Sequence, residues 1–206
     1  MNNELLITFE ILLVIVAPLL LLYLNSSWPL RTTILCLLTI PVLWYLTYSP
    51  LHELSHVAGT YLVGAKVTHI KLIPRFWIGE FARAWITTDE IKAPWQQLIS
   101  TGFPYILDAV CIASTVFILR REFIRRSFIV GCVFMLLCLR PAFDFVCEPV
   151  ALLLGDRGDI YHIKQIIGSF ATWSFIMLSV ALFILSILII LKRYIGFPDA
   201  SFSAAT

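Results

Sequence analysis

Long uncharged stretches alternate with short polar segments along most of this chain. A membrane-spanning helix needs about 20 consecutive apolar residues. Stretches of this kind predict five spans, which are residues 5–24, 33–62 and 95–119, a fourth span that begins near Ser127, and residues 166–191. The pattern therefore predicts an all-α polytopic membrane protein.

The second apolar stretch is longer than one bilayer requires. Apart from two histidines, residues 32–65 contain a single acidic or basic side chain, that of Glu53. As a helix they would extend about 50 Å, whereas the hydrocarbon core is about 30 Å thick. Pro41 and Pro50 are candidate kink points, because proline lacks the N–H that a helix interior needs. We interpret residues 33–62 as one span, and two shorter helices are the alternative.

A polar connection, residues 66–94, separates the second span from the third. Apolar and polar residues alternate over positions 67–72, which is typical of a short strand. We therefore expect a small β-hairpin or loop between the second and third transmembrane helices.

Composition supports a membrane location. Of the 206 residues, 60% are hydrophobic and 14% are charged, whereas about 25% of the residues in a soluble domain are charged. We expect an integral, multi-pass protein of the cell (plasma) membrane, in contact with the lipid bilayer. The net charge of +2 gives no reason to expect nucleic acid as a partner.

Residues 52–56 read H-E-x-x-H and lie within the second predicted span. Positions i and i+4 share one face of a helix, so His52 and His56 can hold one metal ion. Glu53 would lie beside the ion, where a carboxylate can take a proton from water. Ionisable side chains are costly inside a bilayer and mark functional sites. The motif therefore predicts a Zn²⁺ site with Glu53 as the catalytic base.

Catalytic zinc usually has three protein ligands, so a third must come from elsewhere in the chain. His69 and His162 lie outside the predicted spans, and the carboxylates are better placed. The carboxylate candidates are Asp108, Asp144, Glu148, Asp156 and Asp159.

Other segments resemble the site-2 proteases, a family of intramembrane zinc metalloproteases. Residues 64–72 match the family's G-x-x-V-x-x-I-x-L run, and Thr-Gly-Phe-Pro at residues 101–104 stands where the family often has A-G-P. The resemblance implies that the third zinc ligand is an aspartate in a late D-G motif. Asp156 fits that position best, because a glycine follows two residues later. Asp159 is the alternative, and Asp144 is a weaker one.

The same resemblance implies the function. The chain would be an intramembrane zinc metalloendopeptidase that hydrolyses peptide bonds in or near transmembrane segments of membrane protein or peptide substrates. The strand at residues 67–72 could receive the substrate by edge pairing. On this interpretation, residues 1–31 form an N-terminal transmembrane helix and connection, residues 32–165 the metalloprotease-like membrane core, and residues 166–206 a C-terminal transmembrane helix and tail.

Two other functional classes remain open. A non-catalytic membrane scaffold or metal-binding protein is favoured by the absence of a standard D-G motif. A transporter would explain the charges within the predicted spans, although no inverted repeat is present. Those charges include Glu10, Asp108, Arg140 and Asp144. Arg140 and Asp144, at i and i+4, could form an ion pair within the membrane. The sequence specifies no oligomeric state.

Overall fold

A computed structural model of the chain describes residues 29–73, 84–120, 127–155 and 157–194, together with the single positions 12, 16 and 20. The helices in these segments are α1 (Leu30–Leu62), α2 (Pro94–Arg120), α3 (Ser127–Phe134), α4 (Arg140–Leu153), α5 (Asp159–Ile167) and α6 (Ser169–Tyr194). A π-helical turn, Met135–Leu139, joins α3 to α4, and the strands are β1 (Val67–Lys71) and β2 (Trp85–Thr88). The predicted first span, residues 5–24, lies outside these segments.

Three helical stretches in the described part of the chain are long and apolar enough to cross a membrane. They are Pro94–Arg120, Ile129–Leu153 and Ser169–Lys192, and they correspond to the predicted third, fourth and fifth spans. The described chain is mostly helical with one small sheet, in agreement with the predicted fold class. These features indicate a membrane protein.

The predicted second span is a single helix. α1 runs for 33 residues from Leu30 to Leu62, so the alternative of two shorter helices is wrong. A helix of this length extends about 50 Å. It ends where Gly64 adopts a positive φ of 76°, a conformation that glycine reaches without steric cost and that commonly terminates helices.

The predicted hairpin is also present. β1 and β2 pair antiparallel, with Ile70 opposite Ile86 and Lys71 opposite Trp85. β1 ends one residue before the predicted boundary at position 72. Because β1 begins five residues after the end of α1, the sheet lies close to the helix end that follows the H-E-x-x-H motif.

The predicted start of the last span, residue 166, is wrong. Residues 166 and 167 belong to α5, and α6 begins at Ser169. Gly168 separates the two helices with a φ of 84°. The apolar run continues across this break, so hydrophobicity alone does not reveal it. Pro149 lies inside α4, which continues to Leu153.

The buried core lies around α2. This helix packs against α1, α4, α5 and α6. Its core residues Tyr105 and Ile112 lie with Met135, Leu139 and Ile160 among the least exposed side chains. α2 therefore brings the second half of α1 and the start of α5 to the same place, although these elements are distant in sequence.

Candidate metal centre

Both histidines of the motif lie on one face of α1. The Nε2 atoms of His52 and His56 are 3.2 Å apart. His56 is 8% exposed, and His52 is partly buried. The i and i+4 spacing thus produces the shared helix face that the sequence predicts.

Asp159, the first residue of α5, completes a triangle of ligand atoms. Its Oδ2 atom lies 2.8 Å from Nε2 of His56 and 3.5 Å from Nε2 of His52. Zinc with bonds of about 2.0–2.1 Å in tetrahedral geometry holds neighbouring ligand atoms about 3.3 Å apart. The three separations bracket that distance, so these three residues could hold one metal ion of this type.

Hydrogen bonds at Nδ1 of His52 and His56 also favour a metal site at the two Nε2 atoms. Nδ1 of His56 lies 2.9 Å from the backbone oxygen of Ser100, which can only accept. Nδ1 of His52 lies 3.1 Å from a carboxylate oxygen of Asp144. A neutral imidazole carries one N–H, so both Nε2 atoms present lone pairs toward each other and toward the carboxylate of Asp159. Three electron-pair donors that converge in this way can bind one metal ion.

Asp144 contacts Nδ1 of His52, on the opposite side of the ring from the Nε2 atom that faces His56 and Asp159. It is fully buried and accepts a hydrogen bond of 2.8 Å from the hydroxyl of Tyr48. Metal-binding histidines usually donate their second N–H to a carboxylate or carbonyl, which fixes the ring orientation. Asp144 therefore orients a ligand, whereas the sequence made it a weaker candidate for the third ligand.

Arg140 pairs with Asp108 of α2 at 2.6 Å. The predicted i, i+4 pairing of Arg140 with Asp144 is thus replaced by one between helices, because Asp144 already accepts from His52 and Tyr48. His52, Asp108 and Asp144 also lie close enough to form a second candidate metal group. The guanidinium of Arg140 already pairs with Asp108 of that group, so the triangle with Asp159 is the better candidate metal site.

Burial alone would raise the pKa of Asp159, but hydrogen bonds and charge from His52 and His56 hold that pKa well below its usual range. The site therefore keeps Asp159 as a carboxylate, which is the form that binds metal.

Glu53 lies on the wall of a cavity of about 410 Å³ that also includes the three ligand residues. Its side chain is 9% exposed. The rest of the wall comes from α1, α2, α4, β2 with the residue before it, and the turn before α5. It includes Tyr48, Ser49, Ala84, Trp85, Ile86, Thr88, Ser100, Thr101, Glu148 and Gly158. A carboxylate in a cavity beside a candidate metal site can accept a proton from a water molecule there.

The sequence offers further candidates, among them Asp156, His69 and His162. Asp156, the best match to the family's motif, lies outside the described residues. The ring of His69 on β1 stacks on Trp85 with centroids 4.7 Å apart. His162 is exposed. Neither histidine belongs to a candidate metal group in the described part of the chain.

Two residues of the centre were not singled out from the sequence. Tyr48 precedes His52 by four residues and shares its helix face, so helical spacing could have suggested it. Ser100 contacts His56 through its backbone oxygen. Every residue has such an oxygen, so the residue type could not have predicted this contact.

Comparison of the chain with protein-family models, with curated proteins and with solved structures gives no match. The geometry of the metal centre therefore carries the functional conclusion.

Proposed function

We propose that this chain is an intramembrane zinc metalloendopeptidase of the site-2 protease type, with five spans. The observation that carries the proposal is the convergence of two imidazole nitrogens and one carboxylate oxygen within 2.8–3.5 Å of one another. Glu53 on the wall of the same cavity adds the base that peptide hydrolysis needs. A metal site of purely structural type would leave no position open to water.

Each residue has a separate task in this proposal. His52, His56 and Asp159 hold the metal. When bound, zinc supplies Lewis acidity, which lowers the pKa of a coordinated water and polarises a peptide carbonyl. Glu53 takes the proton of the attacking water and returns it to the leaving amine. Asp144 keeps the ring of His52 in the tautomer that directs Nε2 to the metal.

The cavity wall suggests how a substrate is held. Trp85, Ile86 and Thr88 of β2 line it, whereas no residue of β1 does. Because β1 occupies one edge of β2, an extended substrate would pair with the other edge. We therefore favour β2 as the docking strand, and the strand at residues 67–72 is the alternative.

The substrate is a membrane protein or peptide cut near the membrane surface. His56 stands six residues before the end of α1 at Leu62, which corresponds to about 9 Å along the helix. Asp159 follows the end of α4 at Leu153. The scissile bond would therefore lie close to the helix ends, in a segment unwound from its own helix.

A cleavage assay with purified full-length chain in lipid vesicles tests the proposal. A transmembrane reporter should be cut by the wild type and not by Glu53→Gln, while both bind the same amount of zinc. Glu90→Gln, a change at an exposed glutamate, is the matched control and should cut normally. Equal cleavage by wild type and Glu53→Gln would remove Glu53 as the base.

The alternative of a non-catalytic scaffold or metal-binding protein makes a different prediction. It expects zinc binding without cleavage of any membrane reporter. The missing D-G motif was the reason to consider it. Asp159 supplies a carboxylate at the position where that motif's aspartate would act, so this reason loses weight.

A further inference from the structure

α1 and α2 meet closely beside the metal centre. A Cβ atom added at Gly59 would lie 2.8 Å from Cβ of Phe103 and 2.9 Å from the backbone oxygen of Ile99. Thr60 and Ser100 form a hydroxyl–hydroxyl hydrogen bond of 2.7 Å at the same crossing. The absence of a side chain at Gly59 thus lets the backbone of α2 reach the side chains of α1.

Nδ1 of His56 donates to the backbone oxygen of Ser100 at 2.9 Å, in a buried environment. In a regular α-helix this oxygen would accept the N–H of the residue four positions later. That residue is Pro104, which lies inside α2 and has no N–H. The oxygen of Ser100, which contacts His56, therefore lacks the donor that it would have in a regular α-helix.

We propose that Pro104 is a positioning residue for the metal centre. Because Pro104 has no N–H, the oxygen of Ser100 remains available to His56. The resulting hydrogen bond keeps the proton of His56 on Nδ1 and directs Nε2 toward His52 and Asp159. Pro104 itself contacts neither metal nor substrate in this role, which rests on the proposed metal site.

A pair of substitutions isolates the missing N–H. Pro104→Ala restores an N–H that competes for the oxygen of Ser100. Replacement of Pro104 by lactic acid, the ester analogue of alanine, removes the ring but supplies no N–H. Alanine is more favourable than proline in a helix interior, so the alanine variant is expected to fold.

The zinc dissociation constant of the full-length chain in detergent, measured against a chromophoric chelator, is the first readout. Pro104→Ala should raise it about tenfold or more, the range seen when a ligand loses its outer hydrogen-bond partner. The ester variant should stay close to wild type. Pro149→Ala, which removes the interior proline of α4, is the control and should leave the constant unchanged.

Two glycine variants test the helix contact by an independent route. Gly59→Ala should raise the zinc dissociation constant, because the new methyl group pushes Ser100 away from His56. Gly102→Ala is its control, since a Cβ at Gly102 would meet its nearest neighbour, Ile163, at an ordinary 3.9 Å.

Nitrogen-15 NMR of histidine-labelled, metal-free chain is the second readout. The hydrogen-bonded Nδ1 proton of His56 should be present in the wild type and the ester variant and lost in Pro104→Ala. If this pattern holds but no variant binds zinc, the proposed metal site fails, and only the effect of Pro104 on the hydrogen bond between His56 and Ser100 stands. If Pro104→Ala and the ester variant bind zinc equally, or if the Nδ1 proton is unchanged in Pro104→Ala, the role of Pro104 is overturned while the metal site stands.

Discussion

The Oδ2 atom of Asp159 lies 2.8 Å from Nε2 of His56, although 103 positions separate the two residues in the chain. The contact exists because α2 packs against both α1 and α5. Asp159 begins α5 directly after Gly158, so its side chain leaves the first turn of that helix toward the histidines.

Asp159, not Asp156, should be the aspartate that holds zinc. Asp159→Ala should reduce zinc affinity by more than the roughly 10–100-fold cost of losing an outer partner, because a direct ligand is removed. Asp156→Ala should leave affinity nearly unchanged. Metal content of the two purified variants, measured by mass spectrometry after zinc loading, checks this. Loss of zinc from the Asp156 variant alone would reassign the ligand.

Asp144 should support zinc binding without being a ligand. Asp144→Asn keeps an oxygen for His52 but removes the charge, so zinc affinity should fall about 10–100-fold. Tyr48→Phe removes one hydrogen bond to Asp144 and should cost less, since a single net hydrogen bond contributes about 1 kcal/mol. Competition titration with a zinc chelator measures both effects.

The exposed residue Asp89 provides the control for those titrations. Asp89→Asn makes the same chemical change at a residue that does not line the cavity and should bind zinc like the wild type. An Asp144→Asn variant that matched Asp89→Asn would show that the carboxylate behind His52 has no influence on the metal.

The buried pair of Arg140 and Asp108 should matter for stability. Both side chains are nearly inaccessible, at 3% and 2% exposure, and loss of one partner from such a pair typically costs about 3–5 kcal/mol. Arg140→Met should therefore lower the thermal midpoint in detergent strongly. The double variant Arg140→Met with Asp108→Leu should recover much of that loss, because neither charge is then left buried alone.

Lys92→Met is the matched control for this stability series. Lys92 pairs with Glu90 at 3.6 Å, with both side chains 81% exposed, and exposed pairs contribute about 0–1 kcal/mol. Its thermal midpoint should stay near that of the wild type. Equal midpoints for Arg140→Met and Lys92→Met would contradict the importance of the buried pair.

The local part of the metal centre could be predicted from the sequence. His52 and His56 are four residues apart in an apolar stretch, so helical periodicity alone puts them on one face. The strand after α1 was likewise visible as a short alternating segment. Both features depend only on residues that are close together in the sequence, so the pattern of apolar and polar positions is enough to predict them.

The remaining features depend on contacts between distant segments. The sequence favours Asp156 over Asp159 because a glycine follows Asp156 two residues later, whereas only the packing of α5 shows that Asp159 lies next to His56. Arg140 was expected to pair along its own helix, whereas packing brings Asp108 of α2 to it. The break between α5 and α6 requires the positive φ of Gly168, which an unbroken apolar run conceals.

X-ray absorption spectroscopy at the zinc edge, on the purified and zinc-loaded full-length chain, tests the central claim most directly. We expect one zinc per chain, with imidazole nitrogen from two histidines and carboxylate oxygen at about 2.0–2.1 Å. The imidazole signal should decrease in His52→Ala and His56→Ala. A shell of sulfur at about 2.3 Å, or a chain that retains no zinc after loading, would contradict the claim.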